Sequence, residues 1–230
     1  MSERSHPRAA ALPEPPSFGP LNVVGVSPHA DDAEYGAGCL LAAYAAAGHR
    51  VTIALMTGVD EVRSAEAKAA AVALGGDLVA DPSGHDGCLD VTRARVRWLE
   101  EHVDAADVVL APHPDDSHQD HRATSAIVRA ALRRSGVSLC WYRTPSSGQS
   151  FTPTAFHPIT EHLARVRQRA IAMHRSQADR PYLQQDHLAL KDAWFGWLSG
   201  HPAVEPFEVV RQRLTAPPVA AVTTGGAGRP

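Results

Sequence analysis

The chain has 230 residues, of which 44% are hydrophobic and 20% are charged, and its formal net charge is −3. These values are typical of a globular protein and exclude general disorder, and the length allows one sizeable core. The negative charge gives no reason to expect a nucleic-acid partner or binding to an anionic membrane surface.

The cysteines predict a reducing compartment. The chain has an odd number of cysteines, and the three, Cys39, Cys88 and Cys140, are far apart in the sequence. Neither a disulfide framework nor a thiolate zinc site is therefore expected. Residues 1–20 hold arginines and prolines without an apolar core, which predicts a flexible extension and not a signal peptide. No stretch approaches the roughly 20 apolar residues of a membrane span, so we expect a cytoplasmic protein without a membrane partner.

Short apolar runs alternate with segments of helical spacing along the chain. The predicted strands are residues 21–26, 51–56, 78–79, 108–111, 137–142 and 206–214. The predicted helices are residues 38–47, 64–74, 92–102, 120–134, 160–174 and 186–198. Because parallel strands need crossover helices, this alternation predicts an α/β fold with a mostly parallel sheet flanked by helices. Residues 21–214 are expected to form a single domain, and residues 215–230 a disordered tail.

The first group of chemically active residues follows the first predicted strand. His29, Asp31 and Asp32 lie at a strand-to-helix turn, and ligands bind outside the carboxyl ends of strands in open α/β sheets. Consecutive residues in an extended turn point in different directions. One aspartate is therefore available to bind a metal and the other to accept a proton.

A second group follows the strand predicted at residues 108–111. His118 and His121 are three residues apart, a spacing that brings two side chains to one face at the start of a helix. Taken alone, an Asp-Asp pair after a strand is usually a helix cap, and a lone His-x-x-His is more often a solvated helix face. Together, two histidines and a carboxylate are a common catalytic zinc set.

These residues resemble the motifs of the PIG-L/LmbE-like family of zinc-dependent N-deacetylases. The first family motif appears as His29-Ala30-Asp31-Asp32-Ala33-Glu34 with Gly36 and Gly38, and the second as His118-Gln119-Asp120-His121. Ala30 replaces the usual proline, which loosens the turn but removes no ligand atom. Cys39 stands where a glycine is common, and we interpret it as a buried packing residue.

The resemblance implies a Rossmann-like sheet and a role for each motif residue. His29, Asp32 and His121 would hold the zinc, Asp31 would be the general base, and His118, in its protonated form, would stabilise the oxyanion. Fe²⁺ or another divalent ion is an alternative occupant, because similar ligand sets accept both.

Four further segments carry weaker signals. Arg63 matches a position that contacts substrate in some relatives, or it forms a surface ion pair with Glu66. Asp86 shapes the pocket wall or, as we favour, caps the turn at Gly87. The stretch 113–116 repeats the letters His-Pro-Asp-Asp, and we assign His113 and its neighbours to shaping the turn before His118. The segment 174–177, which begins with His174, closes over the pocket or caps its helix.

The resemblance implies hydrolysis of an N-acyl group, most often N-acetyl, from an amino sugar or an aminosugar-containing metabolite, such as a natural-product or thiol-sugar intermediate. A thiol-conjugate amidase of the same family is one alternative. A non-haem iron oxygenase also uses two histidines and a carboxylate, but usually on an all-β barrel. A nucleotide-binding domain is disfavoured because no Gly-x-Gly-x-x-Gly follows the first strand. Relatives are often oligomeric, so a homo-oligomer is one expectation.

Overall fold

The computed structural model describes residues 19–58 and 60–213. The predicted tail, residues 215–230, lies outside the described residues, as does the predicted extension apart from its last two positions. None of the helices within the described ranges has the length and hydrophobicity to cross a membrane.

Strands and helices alternate along most of the described chain. The strands are β1 (Asn22–Ser27), β2 (Arg50–Leu55), β3 (Asp77–Ala80), β4 (Val108–Pro112), β5 (Ser138–Tyr142), β6 (Ala155–Pro158) and β7 (Val204–Arg211). The α-helices are α1 (Asp32–Ala46), α2 (Glu61–Ala73), α3 (Arg93–Val103), α4 (Gln119–Ala131), α5 (Glu161–Ile171) and α6 (Gln185–Ser199). Two short 3-10 turns, Arg175–Gln177 and Pro181–Leu183, connect α5 to α6.

The strands form one sheet in the order β3-β2-β1-β4-β5-β7-β6. The first five of these pair in parallel, and β7 and β6 continue the sheet antiparallel at one edge. This confirms the predicted α/β fold with a mostly parallel sheet. β1 and β4 are neighbours, so the residues that follow them meet at the same edge.

Helices cover both faces of the sheet. Successive residues of a strand point to opposite faces, and accordingly Val23 packs in the core beneath α1 and α5, whereas Val24 packs in the core beneath α3 and α4. Both cores consist of side chains that are almost fully buried. The sheet is therefore a rigid support whose carboxyl edge carries the motif residues.

The structure differs from the sequence prediction at two elements. α1 begins at Asp32 and not at residue 38, so both Gly36 and Gly38 lie inside the helix. A Cβ on Gly36 would lie 2.2 Å from the ring of Tyr142, and one on Gly38 would lie 2.8 Å from the side chain of Arg167. The glycines thus allow close packing of α1 instead of marking its start. β6, a short edge strand, was not predicted.

Candidate metal centre

The two motifs meet at the carboxyl edge of β1 and β4, as expected from the sequence. His29 follows β1, His118 is the N-cap of α4, and His121 lies in the first turn of that helix. The imidazole rings of His118 and His121 stack with their centroids 4.9 Å apart. The ring of His29 lies 4.6 Å from that of His118.

Three potential ligand atoms form a small triangle. Asp32 Oδ2 lies 3.1 Å from His29 Nδ1 and 3.2 Å from His121 Nε2, and the two nitrogens are 3.2 Å apart. Zinc bonds of 2.0–2.1 Å in a tetrahedral site place neighbouring ligand atoms about 3.3 Å apart. The triangle therefore has the size of one face of such a site.

His29 is oriented by a buried carboxylate behind it. Its Nε2 lies 3.0 Å from Asp120 Oδ2, and Asp120 also accepts the backbone N–H groups of Gly87 and Leu89. Because a carboxylate only accepts, His29 donates Nε2–H and leaves Nδ1 to face the triangle. Metal-binding histidines are commonly held in this way.

His121 has an equivalent partner in Asp116. Its Nδ1 lies 3.0 Å from Asp116 Oδ2, which also accepts the hydroxyl of Thr144, while Asp116 Oδ1 accepts the backbone N–H of His118. His121 therefore presents Nε2 to the triangle. Sequence reasoning missed these roles of Asp116 and Asp120. A signal existed, because metal-ligating histidines usually have carboxylate partners, and Asp116 lies just before the His-x-x-His motif while Asp120 lies within it.

In the metal-free protein, the carboxylate of Asp32 and its neighbours favour the protonated forms of the two histidines of the triangle. Burial alone would lower the pKa of His29, but the carboxylates of Asp32 and Asp120 raise it to about 9. Burial likewise opposes a rise for His121, but Asp32 and Asp116 raise its pKa to about 10. Although burial would raise the pKa of Asp32, its two histidine neighbours hold it well below its usual range. The site thus attracts positive charge at the point between these three side chains.

Asp31 lines the cleft that adjoins the triangle. Asp31 is 3% exposed. Among the described residues it is the one non-glycine residue with a positive φ, at 155°. Burial and the neighbouring carboxylate of Asp32 raise the pKa of Asp31 to about 7. The hydroxyl of Tyr182 lies 3.4 Å from its Oδ2. A carboxylate with a pKa near neutrality can both accept and return a proton.

His118 is placed to donate from Nε2. Its Nδ1 accepts the backbone N–H of Asp120 at 3.2 Å, which fixes the neutral tautomer with its proton on Nε2. Burial and the adjacent His29 and His121 lower the pKa of His118. These observations favour a neutral His118, and not the protonated form expected from the sequence.

Three ligand sets are geometrically available for a cation, and one of them is His29 with Asp86 and Asp120. One nitrogen each from His29, His118 and His121 lie within 4.8 Å of one another. The set of His29, Asp32 and His121 is tighter, and its two imidazoles each have a carboxylate behind them. His118 has no such carboxylate partner among the described residues and uses Nδ1 to cap α4. The donor set with Asp32 therefore fits a divalent ion better.

The triangle opens into a cleft of about 300 Å³. Arg63, predicted as a substrate contact, lines this cleft and donates to Asp86 Oδ2 at 3.0 Å, not to Glu66. Asp86 also lies 3.3 Å from His29 Nε2, so it forms part of the cleft wall and does not serve merely as the turn cap favoured from the sequence. Glu66 instead accepts the backbone N–H and hydroxyl of Ser176.

The segment after α5 forms the opposite wall. His174 is 2% exposed, and its Nε2 lies 3.3 Å from Glu34 Oε1 of the first motif. Gln177, Arg180 and Tyr182 line the cleft. The segment 174–177 therefore borders the site through Gln177, and its closing over the pocket stays a prediction.

The repeated His-Pro-Asp-Asp is divided between two tasks. His113 Nδ1 accepts the backbone N–H of Asp115, and Asp115 accepts from Ser150, so both shape the loops as expected. Asp116 departs from that expectation, because its carboxylate reaches His121. Cys39 is fully buried, as predicted.

The chain is similar to several known proteins. The sequence model of the PIG-L family, described as GlcNAc-PI de-N-acetylase, matches residues 24–132. The uncharacterized deacetylase YaiS of Escherichia coli (strain K12) is 29% identical over 169 residues, which is 67% of this chain and 90% of that protein.

Solved structures share the fold. A conserved protein of Thermus thermophilus superimposes with a TM-score of 0.72 at 26% identity, over 84% of this chain and 96% of that one. The N,N'-diacetylchitobiose deacetylase of Pyrococcus horikoshii gives a TM-score of 0.70 at 22% identity, over 82% of this chain and 83% of that one. The matched family segment contains both motifs, the relative extends over most of the domain, and the fold agrees. Residues 24–132 thus match the PIG-L family model, and the chain is similar to a deacetylase over most of its domain.

Proposed function

We propose that this protein is a metal-dependent hydrolase that removes an N-acetyl group from an amino sugar or an aminosugar-containing metabolite. The observation that carries the proposal is the triangle of His29, Asp32 and His121, with a buried carboxylate behind each imidazole. The similar proteins include a deacetylase of diacetylchitobiose, an N-acetylated sugar, which supports the substrate class.

His29, Asp32 and His121 would hold the ion, and Zn²⁺ suits two imidazoles and one carboxylate. When bound, such an ion lowers the pKa of a coordinated water and polarises a carbonyl group. Fe²⁺ or another divalent ion suits the same donors. Asp116 and Asp120 keep the two imidazoles in the tautomers that ligation requires.

Asp31 and His118 would move the protons. Asp31 accepts a proton from the water that attacks the amide carbon, a role that its raised pKa suits. Nε2–H of His118 donates to the oxygen that becomes negative as the carbonyl carbon turns tetrahedral. Asp31 then returns its proton to the amide nitrogen as the C–N bond breaks. The products are a carboxylic acid and a free amine.

Two alternatives have less support. A thiol-conjugate amidase would use the same site with another acyl group. A non-haem iron oxygenase is usually an all-β barrel, whereas these ligands lie on a mostly parallel α/β sheet. Cytoplasmic localisation and homo-oligomerisation stay predictions.

The direct test is acetate release from N-acetylglucosamine conjugates. The protein is treated with a chelator, and one half is reloaded with Zn²⁺ and the other with Fe²⁺. We expect the reloaded protein to release acetate and free amine in equal amounts and the chelated protein to release neither. Activity that survives complete chelation, or no release with either ion, would contradict the proposal. Turnover only of amides whose acyl group carries a thioether would favour the thiol-conjugate amidase.

A further inference from the structure

A second cleft, of about 540 Å³, lies beside the catalytic one. It is bounded by α1, by the loop that follows β5 and by α6. Its side chains are mainly aromatic or basic and include Tyr35, Arg143, Phe151, His187, Lys191 and Trp194. None of the side chains that line it among the described residues is acidic.

Arg143 is the basic residue of this cleft that is available to a ligand. Its guanidinium lies 6.0 Å from the centroid of the Phe151 ring, and no described carboxylate pairs with it. Tyr35 lines the same cleft, where burial raises its pKa to about 12 and the positive charge of Arg143 opposes that rise. A half-buried guanidinium without a counter-ion favours a ligand that carries negative charge.

Lys191 adds to this positive field. Its ammonium group lies 4.3 Å from the centroid of the Tyr35 ring and donates to the carbonyl oxygen of Tyr35 at 2.8 Å. Asp192 lies 3.6 Å away and offsets part of the charge. Lys191 is therefore a fixed part of the wall, whereas Arg143 is available to a ligand.

The outer wall of this cleft is apolar and exposed. Trp194 is 59% exposed, and Leu190 and Leu198, on the same helix, are 72% and 50% exposed. Exposed apolar clusters of this kind commonly mark binding surfaces, and an indole offers a flat face to an aromatic or other apolar group.

The second cleft borders the catalytic one. The rings of Tyr35 and Tyr182 touch edge to face with centroids 5.9 Å apart, and Tyr182 lines the catalytic cleft beside Asp31. Arg143 is two residues before Pro145, which also lines the catalytic cleft. The two clefts are therefore adjacent, although they share no lining residue.

We propose that this second cleft binds the part of the substrate beyond the N-acylated amine, and that this part is an aromatic or other apolar arm ending in a carboxylate or similar anion. The inference rests on the proposed function, and it names the substrate class more closely. Arg143 binds the anion through its planar fork of N–H groups, and Trp194 covers the apolar arm.

The test compares two ligands that differ only in this anion. They are the phenyl and 4-carboxyphenyl glucosaminides with free amines, and their Kd values for the zinc-loaded protein are measured by calorimetry. Because these are products, binding is measured whether or not the protein deacetylates anything, so failure of the proposed function is seen separately as absence of acetate release from the N-acetyl forms.

We expect the carboxyphenyl compound to bind at least tenfold more tightly to the wild type. Arg143→Gln should remove that difference, and Arg143→Lys should keep part of it. Trp194→Ala should weaken both ligands about equally. Trp197→Ala is the matched control, since Trp197 stacks on Trp194 but does not line the cleft.

Equal Kd values for the two ligands in the wild type, or a preference that survives Arg143→Gln, would overturn the proposal. So would a Trp194→Ala variant that dissociates an oligomer in light scattering but leaves both Kd values unchanged. That result would make the face an interface between copies of the chain. Unchanged thermal unfolding of each variant confirms that it has folded.

Discussion

Asp116 and His121 form a buried pair in which His121 Nδ1–H donates to Asp116 Oδ2 across 3.0 Å. The same carboxylate accepts the hydroxyl of Thr144 and the backbone N–H of His118. One side chain thus fixes both histidines of the His-x-x-His motif. Because Asp116 is not a ligand in the proposed set, its contribution to metal affinity can be tested without removing a ligand.

We predict that Asp116→Asn weakens zinc binding by about 10- to 100-fold, the usual effect of removing a partner of a metal ligand. The asparagine keeps the shape of the side chain but loses its charge. The measurement is competition with a chelator of known affinity. Asp115→Asn is the matched control, because Asp115 is exposed and binds Ser150 away from the site. Equal losses in the two variants would show that Asp116 has no special role.

Metal uptake should release protons. In the metal-free protein the pKa of His29 is about 9 and that of His121 about 10, so both rings are protonated at pH 7.5. Each must lose a proton from the nitrogen that ligates, and apparent affinity must therefore rise with pH. Calorimetry in buffers of different ionisation enthalpy should find about two protons released per zinc ion.

The release should decrease as the pH is raised through 9 and then 10, because the histidines are then already neutral. Zinc binding without proton release at pH 7.5 would show that these two imidazoles do not both ligate the ion.

The stability of the domain should depend on a buried ion-pair cluster behind α1. Arg167 has a 2% exposed side chain and pairs with Asp192 and Glu205, while Glu205 accepts the N–H groups of Cys39 and Leu40. Removing one partner of a buried pair leaves the other charge uncompensated. We predict that Asp192→Ala lowers the free energy of unfolding by about 3–5 kcal/mol, measured by urea denaturation.

Arg165→Gln provides the comparison for that measurement. Arg165 pairs with Glu161 on the same helix, but both side chains are largely exposed, and surface pairs contribute little. We expect its unfolding midpoint to match the wild type. If Arg165→Gln lost as much stability as Asp192→Ala, burial of the ion pair would not explain the effect of Asp192→Ala.

The convergence of the two motifs could be predicted from the sequence because it follows from topology. Residues after two parallel strands lie at one edge, and the strands that precede His29 and His118 are neighbours. The helix predicted at residues 92–102 is also present as α3, and Thr92 is its N-cap. Local patterns and the rules of parallel sheets were sufficient for these features.

The remaining features depend on contacts between distant residues. The sequence pattern places Gly36 before a helix that starts at Gly38, and only the packing of Tyr142 and Arg167 explains why both glycines lie inside the helix. Asp120 binds a ring that lies 91 positions away in the chain. β6 is a four-residue strand that gains its pairing from β7, about 50 residues later. No local pattern encodes such partners.

The central claim is that the two adjacent aspartates have different tasks, Asp32 binding the ion and Asp31 moving the proton. The most direct test compares Asp31→Asn with Asp32→Asn, measuring zinc per chain and the rate of acetate release for each. We predict that Asp31→Asn keeps one zinc ion and loses about 10²- to 10⁴-fold in kcat, whereas Asp32→Asn loses the zinc. An Asp31→Asn variant with wild-type kcat, or an Asp32→Asn variant with wild-type zinc affinity, would contradict the account.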